Sequence, residues 1–341
     1  MSEAGTERVT GKVLRWLVPL LISALAIWLV LREIEISQFL TNLRLIRWPT
    51  FLLASVFYFV SYAARVFCWF ILLRHKVSYR DVFFTMGVGY LLNNIFPFRL
   101  GEIGRAVFLD DPERISMFEV FSSIIVERVF DVFLAAMFVL SVLPRILGAN
   151  YDQRLITIAL ALAVFGLAVL FLLAKYKVRI GMWLDRWGER SGFVRDWLTP
   201  KILHGLEGLS VLTTPRVFLL AFFSLAVSWG LAFVQNDIIF NSLYPDPPFW
   251  WMTFVLSAGA FGAALPSAPA GLGVFEGAVV AAFALLGVGA EVAFTHAIVI
   301  HAMTFIYASL IGLIGLRLRG EVLFAFIQRV LKRAPQVKAV E

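Results

Sequence analysis

Charged side chains interrupt several strongly apolar stretches of this sequence. Arg65 lies inside one apolar run, and Glu127, Arg128 and Asp131 interrupt another. A charge at the centre of a bilayer costs at least about 2.5–3.5 kcal/mol, so we expect these groups to face an internal polar cavity or one another. Arginine suits phosphate because its planar guanidinium can bond two oxygens at once. These residues therefore predict an internal site for an anionic group.

Two short segments share the pattern P-x-x-L-G, one starting at Pro97 and the other at Pro269, 172 residues further on. Proline cannot donate a backbone hydrogen bond and glycine relaxes the chain, so such breaks leave backbone groups unpaired. At membrane depth these groups survive only where they line water, protein or a polar ligand. The short helices that follow also direct their partially positive N-termini toward the breaks, which favours an anion.

The predicted substrate-binding residues lie in these breaks and on the interrupted apolar runs. They are Arg65, Asn93, Asn94, Arg99, Glu102, Arg105, Glu127, Arg128, Asp131, Glu276 and His301. The residues expected to break the helices are Pro97, Gly101, Pro266, Pro269, Gly271 and Gly273. His296 and His301 are five residues apart and lack the H-E-x-x-H pattern, so we do not expect a hydrolytic zinc site. We expect no other metal and no cofactor.

Each of these residues also has a purely structural interpretation. The charged residues of 127–131 could form a buried ion-pair cluster that only fixes packing, and Glu102 could pair with Arg105 along a short helix. His296 is more typical of a satisfied interface residue than of a ligand. Arg65 is harder to explain, since arginine keeps its charge and no acid lies within a helical turn of it. Its counter-ion has to come from elsewhere in the fold or from a substrate.

The composition restricts the class of protein in which these residues act. Of 341 residues, 60% are hydrophobic and 16% are charged, whereas soluble domains are about 45–50% apolar and about 25% charged. This excludes an ordinary soluble enzyme and a disordered chain, and it indicates a polytopic membrane protein. The net charge of +7 does not indicate a nucleic-acid partner, because the basic residues cluster at the ends of apolar runs.

Six apolar runs are long enough to cross about 30 Å of hydrocarbon. They occupy residues 13–31, 50–73, 117–143, 154–174, 217–240 and 291–316. Two shorter runs, 81–96 and 250–264, each precede a break and a second short helical piece, at 101–110 and 276–288. The sequence therefore predicts an all-α polytopic membrane protein with about six full transmembrane helices and two re-entrant helical hairpins.

The distribution of basic residues predicts the orientation of the chain. With the N-terminus inside, the inner segments carry 20 Lys and Arg residues and the outer segments carry 5, which favours N-in and C-in. We expect a single integral membrane domain over 1–341, with repeats at about 50–143 and 217–316 that run in opposite directions, as in many secondary transporters. The segment 177–212 alternates tryptophans with charges and is predicted to be an amphipathic interfacial segment.

The residues from Asn93 to Arg105 resemble the lysylphosphatidylglycerol synthase transmembrane-region family, flippase-like proteins related to the membrane half of the bacterial multiple peptide resistance factor. The segment Glu127-Arg128-Val129-Phe130-Asp131 is similar to an acidic–basic–acidic motif of that family, and 266–276 resembles its second break. The resemblance implies a helical membrane fold with re-entrant helices and a role in moving phospholipids or lipid-linked precursors. Where relatives often have small residues after the first proline, this chain has Phe98 and Arg99.

The aminoacyl transfer of two-domain relatives resides in a separate soluble domain, and only about 25 residues follow the last predicted span, so we expect no synthase activity and no enzyme. The favoured hypothesis is a flippase or translocator of the cell (plasma) membrane that binds an anionic lipid in a polar midplane cavity. The alternatives are a secondary transporter of a small solute or ion and a polytopic glycosyltransferase that uses a lipid-linked sugar. The expected partners are membrane lipids, and a homo-oligomer is left open.

Overall fold

The computed structural model describes residues 20–32, 34–97, 99–111, 114–147, 153–188, 199, 202–203, 206, 209–265 and 267–338. Within these residues the regular structure is helical, apart from one isolated bridge between Asp111 and Ile115. The prediction of an all-helical fold is therefore confirmed. Residues 13–19 of the first predicted span, most of 189–208, and the break residues Phe98 and Pro266 lie outside the described residues.

The helices are numbered here in chain order over the described residues. They are α1 (Leu20–Leu31), α2 (Ile36–Leu45), α3 (Trp48–Leu72), α4 (Tyr79–Ile95), α5 (Leu100–Leu109), α6 (Met117–Leu147), α7 (Gln153–Lys175), α8 (Lys177–Gly188), α9 (Pro215–Phe240), α10 (Trp250–Ala264), α11 (Val274–Leu285), α12 (Ala290–Leu318) and α13 (Leu323–Lys338). Short 3₁₀ turns occupy Ser210–Thr213 and Pro269–Gly271.

Four helices, α3, α6, α9 and α12, are long and apolar enough to cross a membrane. They coincide with four of the six predicted spans. The described part of α1 and the segment Val164–Lys175 of α7 are shorter apolar helices, as is α10. The six crossings, the inward termini and the re-entrant path of the hairpins therefore remain predictions from the sequence.

Local signals set the ends of these helices. Proline occupies the first turn of α3 (Pro49) and of α9 (Pro215), where its missing N–H would have no helical partner in any case. The hydroxyl of Ser78 caps α4 by accepting the backbone N–H of Asp81 at 3.1 Å. Helix α4 ends two residues before Pro97 because the residue before a proline disfavours the helical conformation.

Helices α3 and α4 pack against α9 and α12 through small residues. Helix α3 packs along α9, and the Ser61 hydroxyl donates to the backbone oxygen of Ser228 at 2.8 Å. Helix α4 packs on α12 so closely that a Cβ added at Gly312 would lie 2.5 Å from the oxygen of Gly87. Glycine at such points lets helix backbones approach, which is how apolar helices gain contact in lipid.

Both helical hairpins also close through glycine. Helices α4 and α5 pack against each other, and a Cβ at Gly101 would lie only 1.8 Å from the oxygen of Gly89. Helices α10 and α11 also pack against each other, and a Cβ added at Gly262 would lie 2.5 Å from the Cβ of Ala278. Helix α1 covers the second break, where the hydroxyl of Ser23 accepts the N–H of Ala268 at 2.8 Å. The two breaks are thereby held at the tips of two tight hairpins.

The described part of the predicted interfacial segment 177–212 begins with α8. Its side chains Trp183 and Trp187 are about half exposed and lie against each other, with ring centroids 4.6 Å apart. An aromatic pair of this kind on a basic helix is typical of helices that lie in a membrane interface.

Candidate functional site

A cavity of about 490 Å³, called the chamber below, lies between the two breaks. Its walls come from α4, α5, α6, α10, α11 and α12 and from both breaks, including Pro97 and Gly271. The predicted substrate-binding residues that line it are Asn93, Asn94, Arg99, Glu102, Arg128 and His301. The structure therefore brings together residues that are far apart in the chain.

The first break is held open by a side-chain cap and an unusual backbone conformation. The amide oxygen of Asn93 accepts the N–H of Gly101 at 2.8 Å and so satisfies one free donor at the start of α5. Arg99 adopts the left-handed conformation, with φ 52°, which is uncommon for a residue other than glycine. Its guanidinium donates to the backbone oxygen of Ala263 at 2.9 Å, near the end of α10. Arg99 thereby links the two hairpins.

The second break is held by a carboxylate. Gly271 and Gly273 have φ values of 79° and 84°, in the region that glycine adopts without strain. One oxygen of Glu276 accepts the N–H of Gly273 at 2.7 Å, which caps α11 from its own first turn. The other oxygen is hydrogen-bonded to Nδ1 of His301 on α12. Glu276 is buried behind the wall, and His301 is the member of the pair that lines the chamber.

Asn94 occupies the chamber wall next to a structural contact. Its amide donates to the Ser309 hydroxyl at 2.9 Å and to the backbone oxygen of Phe305 at 3.2 Å. Both partners belong to α12. These bonds fix the last turn of α4 against α12 and thereby set the position of the first break.

The counter-ion of Arg65 comes from α6. Arg65 forms two parallel bonds of 2.8 Å with the carboxylate of Asp131, and a third bond of 3.2 Å with Glu127. The indole of Trp229 donates to the same Asp131 carboxylate at 3.0 Å. Of the two sources expected for this counter-ion, the fold itself therefore supplies it. This bidentate geometry is the strongest arrangement available to an arginine–carboxylate pair.

Arg105 is buried outside the chamber. Its guanidinium bonds to Glu127 at 2.6 Å and lies over the ring of Trp69, with 3.7 Å to the ring centroid. Two of its nitrogens, Nε and Nη1, have no hydrogen-bond partner among the described residues. Arg105 therefore pairs with α6 and not with Glu102 on its own helix. Its cation–π contact is desolvated, the condition under which such contacts are strongest.

Glu102 pairs with Arg128 at 3.3 Å, and Arg128 also reaches Asp131 at 3.1 Å. Three arginines thus face three acids in this described cluster, which comprises Arg65, Arg105, Arg128, Glu102, Glu127 and Asp131. Arg99 is an additional cation, with a side chain 42% exposed and only a 3.9 Å contact to Glu102. Arg99 is therefore the guanidinium best placed to meet an anion in the chamber.

A second cavity of about 230 Å³ lies beside the chamber, between α3, α4, α9, α10 and α12. It is lined by Arg65 and Gln235, and it shares Tyr90 and Thr304 with the chamber. The side-chain nitrogen of Gln235 is buried without a hydrogen-bond partner among the described residues. Tyr90 and Thr304 thus form a partition between two polar spaces.

Sequence reasoning missed three contributors to this site: Tyr90, Thr304 and the backbone oxygen of Ala263. The two side chains lie within apolar runs, and a backbone oxygen has no sequence signal of its own. Only the tertiary contacts identify them.

The comparisons with known proteins agree with this architecture. The family described as "Lysylphosphatidylglycerol synthase TM region" matches residues 16–312, which contain both breaks, three of the four long apolar helices and most of the fourth, α12. A protein described as a UPF0104 membrane protein, from Methanothermobacter thermautotrophicus (strain Delta H), is 29% identical over 246 residues, covering 65% of this chain and 69% of that protein. No solved structure matches the chain. The resemblance noted in the sequence is therefore confirmed: this chain is an integral membrane protein that belongs to the lysylphosphatidylglycerol synthase transmembrane-region family.

Proposed function

We propose that this protein is a lipid translocator of the cell membrane that accepts the anionic headgroup of a phospholipid or lipid-linked precursor in the chamber. The observation that carries the proposal is a hollow of about 490 Å³ at the meeting point of both breaks, with Arg99 and Arg128 in its wall. This volume is in the range of small-molecule sites, about 300–1,000 Å³. A guanidinium offers paired donors that fit phosphate oxygens.

The charge balance of the site supports an anionic ligand. The cluster around Glu127 is internally neutral, since its three arginines each contact at least one acid at 3.3 Å or less. Arg99 adds one positive charge at the chamber. Its side chain is partly exposed, and its guanidinium donates to a neutral backbone oxygen. A phosphate is a better acceptor for this donor because bonds between two charged groups are roughly twice as strong as neutral ones.

The packing supports two inverted repeats, 50–143 and 217–316, that move about the chamber. Helix α3 packs on α9, its counterpart, while α4 packs on α12 and α10 packs on α6, as a two-fold relation would require. In transporters with inverted repeats, access alternates when one repeat rocks against the other around a fixed site. The Arg99–Ala263 bond connects the two proposed repeats, so an anion that competes for Arg99 would loosen their contact.

The motifs of the chain bear on the energy source of the proposed transport. The sequence contains no Walker motif, so ATP is not expected to drive the process within this chain. We propose that transport is downhill or is coupled to an ion gradient. The Glu276–His301 pair at the chamber is a candidate site for a coupling proton because both groups are titratable.

The test is translocation of fluorescent phosphatidylglycerol in proteoliposomes, with Arg99→Gln as the variant. Losing a hydrogen bond to a charged group costs about 1.5–3 kcal/mol, which corresponds to a decrease of roughly 10–100-fold in affinity for the headgroup. Arg114→Gln is the matched control, since Arg114 is also exposed, pairs with an acid three residues away, and lies outside the chamber.

Equal translocation by wild type, Arg99→Gln and Arg114→Gln would overturn the assignment of the site. Uptake of a small soluble anion without movement of lipid would favour the alternative, a secondary transporter of small solutes.

A further inference from the structure

An apolar groove of about 310 Å³ lies beside the chamber, between α6 and α7. We call it the lateral groove, and its apolar walls are Ile125, Val129, Val132 and Phe133 of α6 together with Gly166 of α7. Val132 is 54% exposed and Ile125 is 39% exposed. The groove therefore opens away from the core of the protein.

The lateral groove and the chamber share two wall residues, Glu102 and Arg128. These two side chains form an ion pair at 3.3 Å, so the boundary between the two spaces is charged. On one side of that pair lies the polar chamber with Arg99, and on the other lies an apolar surface. A site for an anion and a site for hydrocarbon therefore lie next to each other, on opposite sides of one ion pair.

This shared charged wall distinguishes the groove from an ordinary lipid-facing surface. Any outward apolar face of a membrane protein contacts lipid, and such contact requires no link to a polar cavity. Charged side chains are costly in hydrocarbon and mark substrate pathways. An amphipathic ligand can occupy both sites at once, with its headgroup in the chamber and its chain in the groove, whereas a soluble anion would leave the groove empty.

Gly166 adds a steric argument. A Cβ added at this position would meet no atom of the described residues within 4 Å, which leaves space at the groove wall. Unlike the glycines at the hairpin contacts, it is not needed for close helix packing. At this position α7 contributes no side chain to the groove wall.

We propose that the lateral groove binds an acyl chain of the lipid whose anionic headgroup occupies the chamber, and that this chain leaves the protein between α6 and α7. The inference rests on the proposed function and deepens it: the ligand is a long-chain anionic lipid and not a soluble phosphate compound.

The test uses Gly166→Leu, which places a side chain in the groove, with Gly230→Leu as the matched control. Gly230 is also a helical glycine with no atom within 4 Å of an added Cβ, and it lines neither the chamber nor the groove. We expect Gly166→Leu to slow translocation of long-chain fluorescent phosphatidylglycerol roughly tenfold or more, the discrimination that apolar shape fit provides. Binding of glycerophosphoglycerol, the same headgroup without acyl chains, should remain at the wild-type level in both variants.

A second measurement detects the chain directly. Phosphatidylglycerol with a photoreactive group on one acyl chain should label residues 125–133 several-fold more than Leu219 and Phe223 of α9, although these two side chains are more exposed than Ile125 and Val132. Equal labelling of both faces would overturn the proposal, because that is the pattern of general lipid contact.

The outcomes separate the two levels of the argument. If wild-type protein and Gly166→Leu translocate lipid equally well, the assignment of the lateral groove as the acyl-chain site is overturned and the proposed function stands. If wild-type protein translocates no lipid, both the proposed function and the assignment of the lateral groove as the acyl-chain site are overturned.

Discussion

Replacing Asp131 with asparagine would leave the guanidinium of Arg65 with Glu127 as its remaining carboxylate partner, at 3.2 Å. The substitution removes the charge behind two bonds of 2.8 Å and weakens the acceptor of the Trp229 indole. Breaking a buried ion pair by removing one partner costs about 3–5 kcal/mol. We expect a loss near the lower end of that range, since the two side chains keep 17% and 13% exposure.

A double-mutant cycle with Arg65→Met, Asp131→Leu and the double variant measures the interaction energy of the pair. Arg65→Met combined with Asp131→Leu replaces the ions with apolar groups of similar reach, a change that is often neutral or stabilising. We therefore expect the double variant to be more stable than either single variant, with a coupling energy of about 0.5–3 kcal/mol. Trp229→Phe is the control: it keeps both ions of the pair and removes one hydrogen bond, worth about 1 kcal/mol, together with part of a buried ring.

The assay is unfolding in mixed micelles by titration with sodium dodecyl sulfate, followed by circular dichroism, alongside translocation in proteoliposomes. Stability losses that simply add in the double variant would refute the reasoning, because additivity means that the two side chains do not interact.

The same cycle decides between the two interpretations of the cluster. If the ion pair only fixes packing, the apolar double variant regains stability and translocation together. If the cluster also acts during transport, stability returns while translocation stays low.

The remaining predictions concern the two breaks. Gly101→Ala should destabilise the first hairpin by about 1–3 kcal/mol through overpacking, since the new Cβ would lie 1.8 Å from the oxygen of Gly89. Thermal unfolding measures this loss of stability. Unchanged stability would show that α4 and α5 are not in contact at this point. Glu276→Ala should cost about 0.5–2 kcal/mol by removing the cap from the N–H of Gly273. Glu276→Gln should retain most of that stability because its amide oxygen can still accept the bond, and equal losses in both variants by the same assay would contradict the capping role.

The location of Arg99 separates it from the other arginines of the site. Arg65 and Arg105 are held by carboxylates in the interior, whereas Arg99 is bonded to a neutral backbone oxygen at the edge of the chamber. Its left-handed backbone conformation is a local strain, of the kind that gathers at functional sites. The sequence singled out Arg99 as a departure from the family pattern, and the structure places this departure in the chamber wall.

The sequence by itself determined the class of the protein, the long helices and the two breaks. Those features depend on local composition: about 20 apolar residues suffice to span hydrocarbon, and proline with glycine interrupts a helix wherever it stands. The same logic identified Arg99, Arg128 and His301 as residues that need a polar environment, and the chamber contains all three. Only the tertiary structure decided which partners they meet.

The pairing of Arg65 with Asp131, of Arg105 with Glu127 and of Glu276 with His301 connects helices that are distant in the chain. Such contacts depend on how the helices cross, and the crossings are set by close glycine contacts that have no signature in hydropathy or charge. The lateral groove arises for the same reason, since it exists only where α5, α6 and α7 meet. The residue types therefore specified which polar side chains had to be buried, and the packing of the helices specified the partners that each of them contacts.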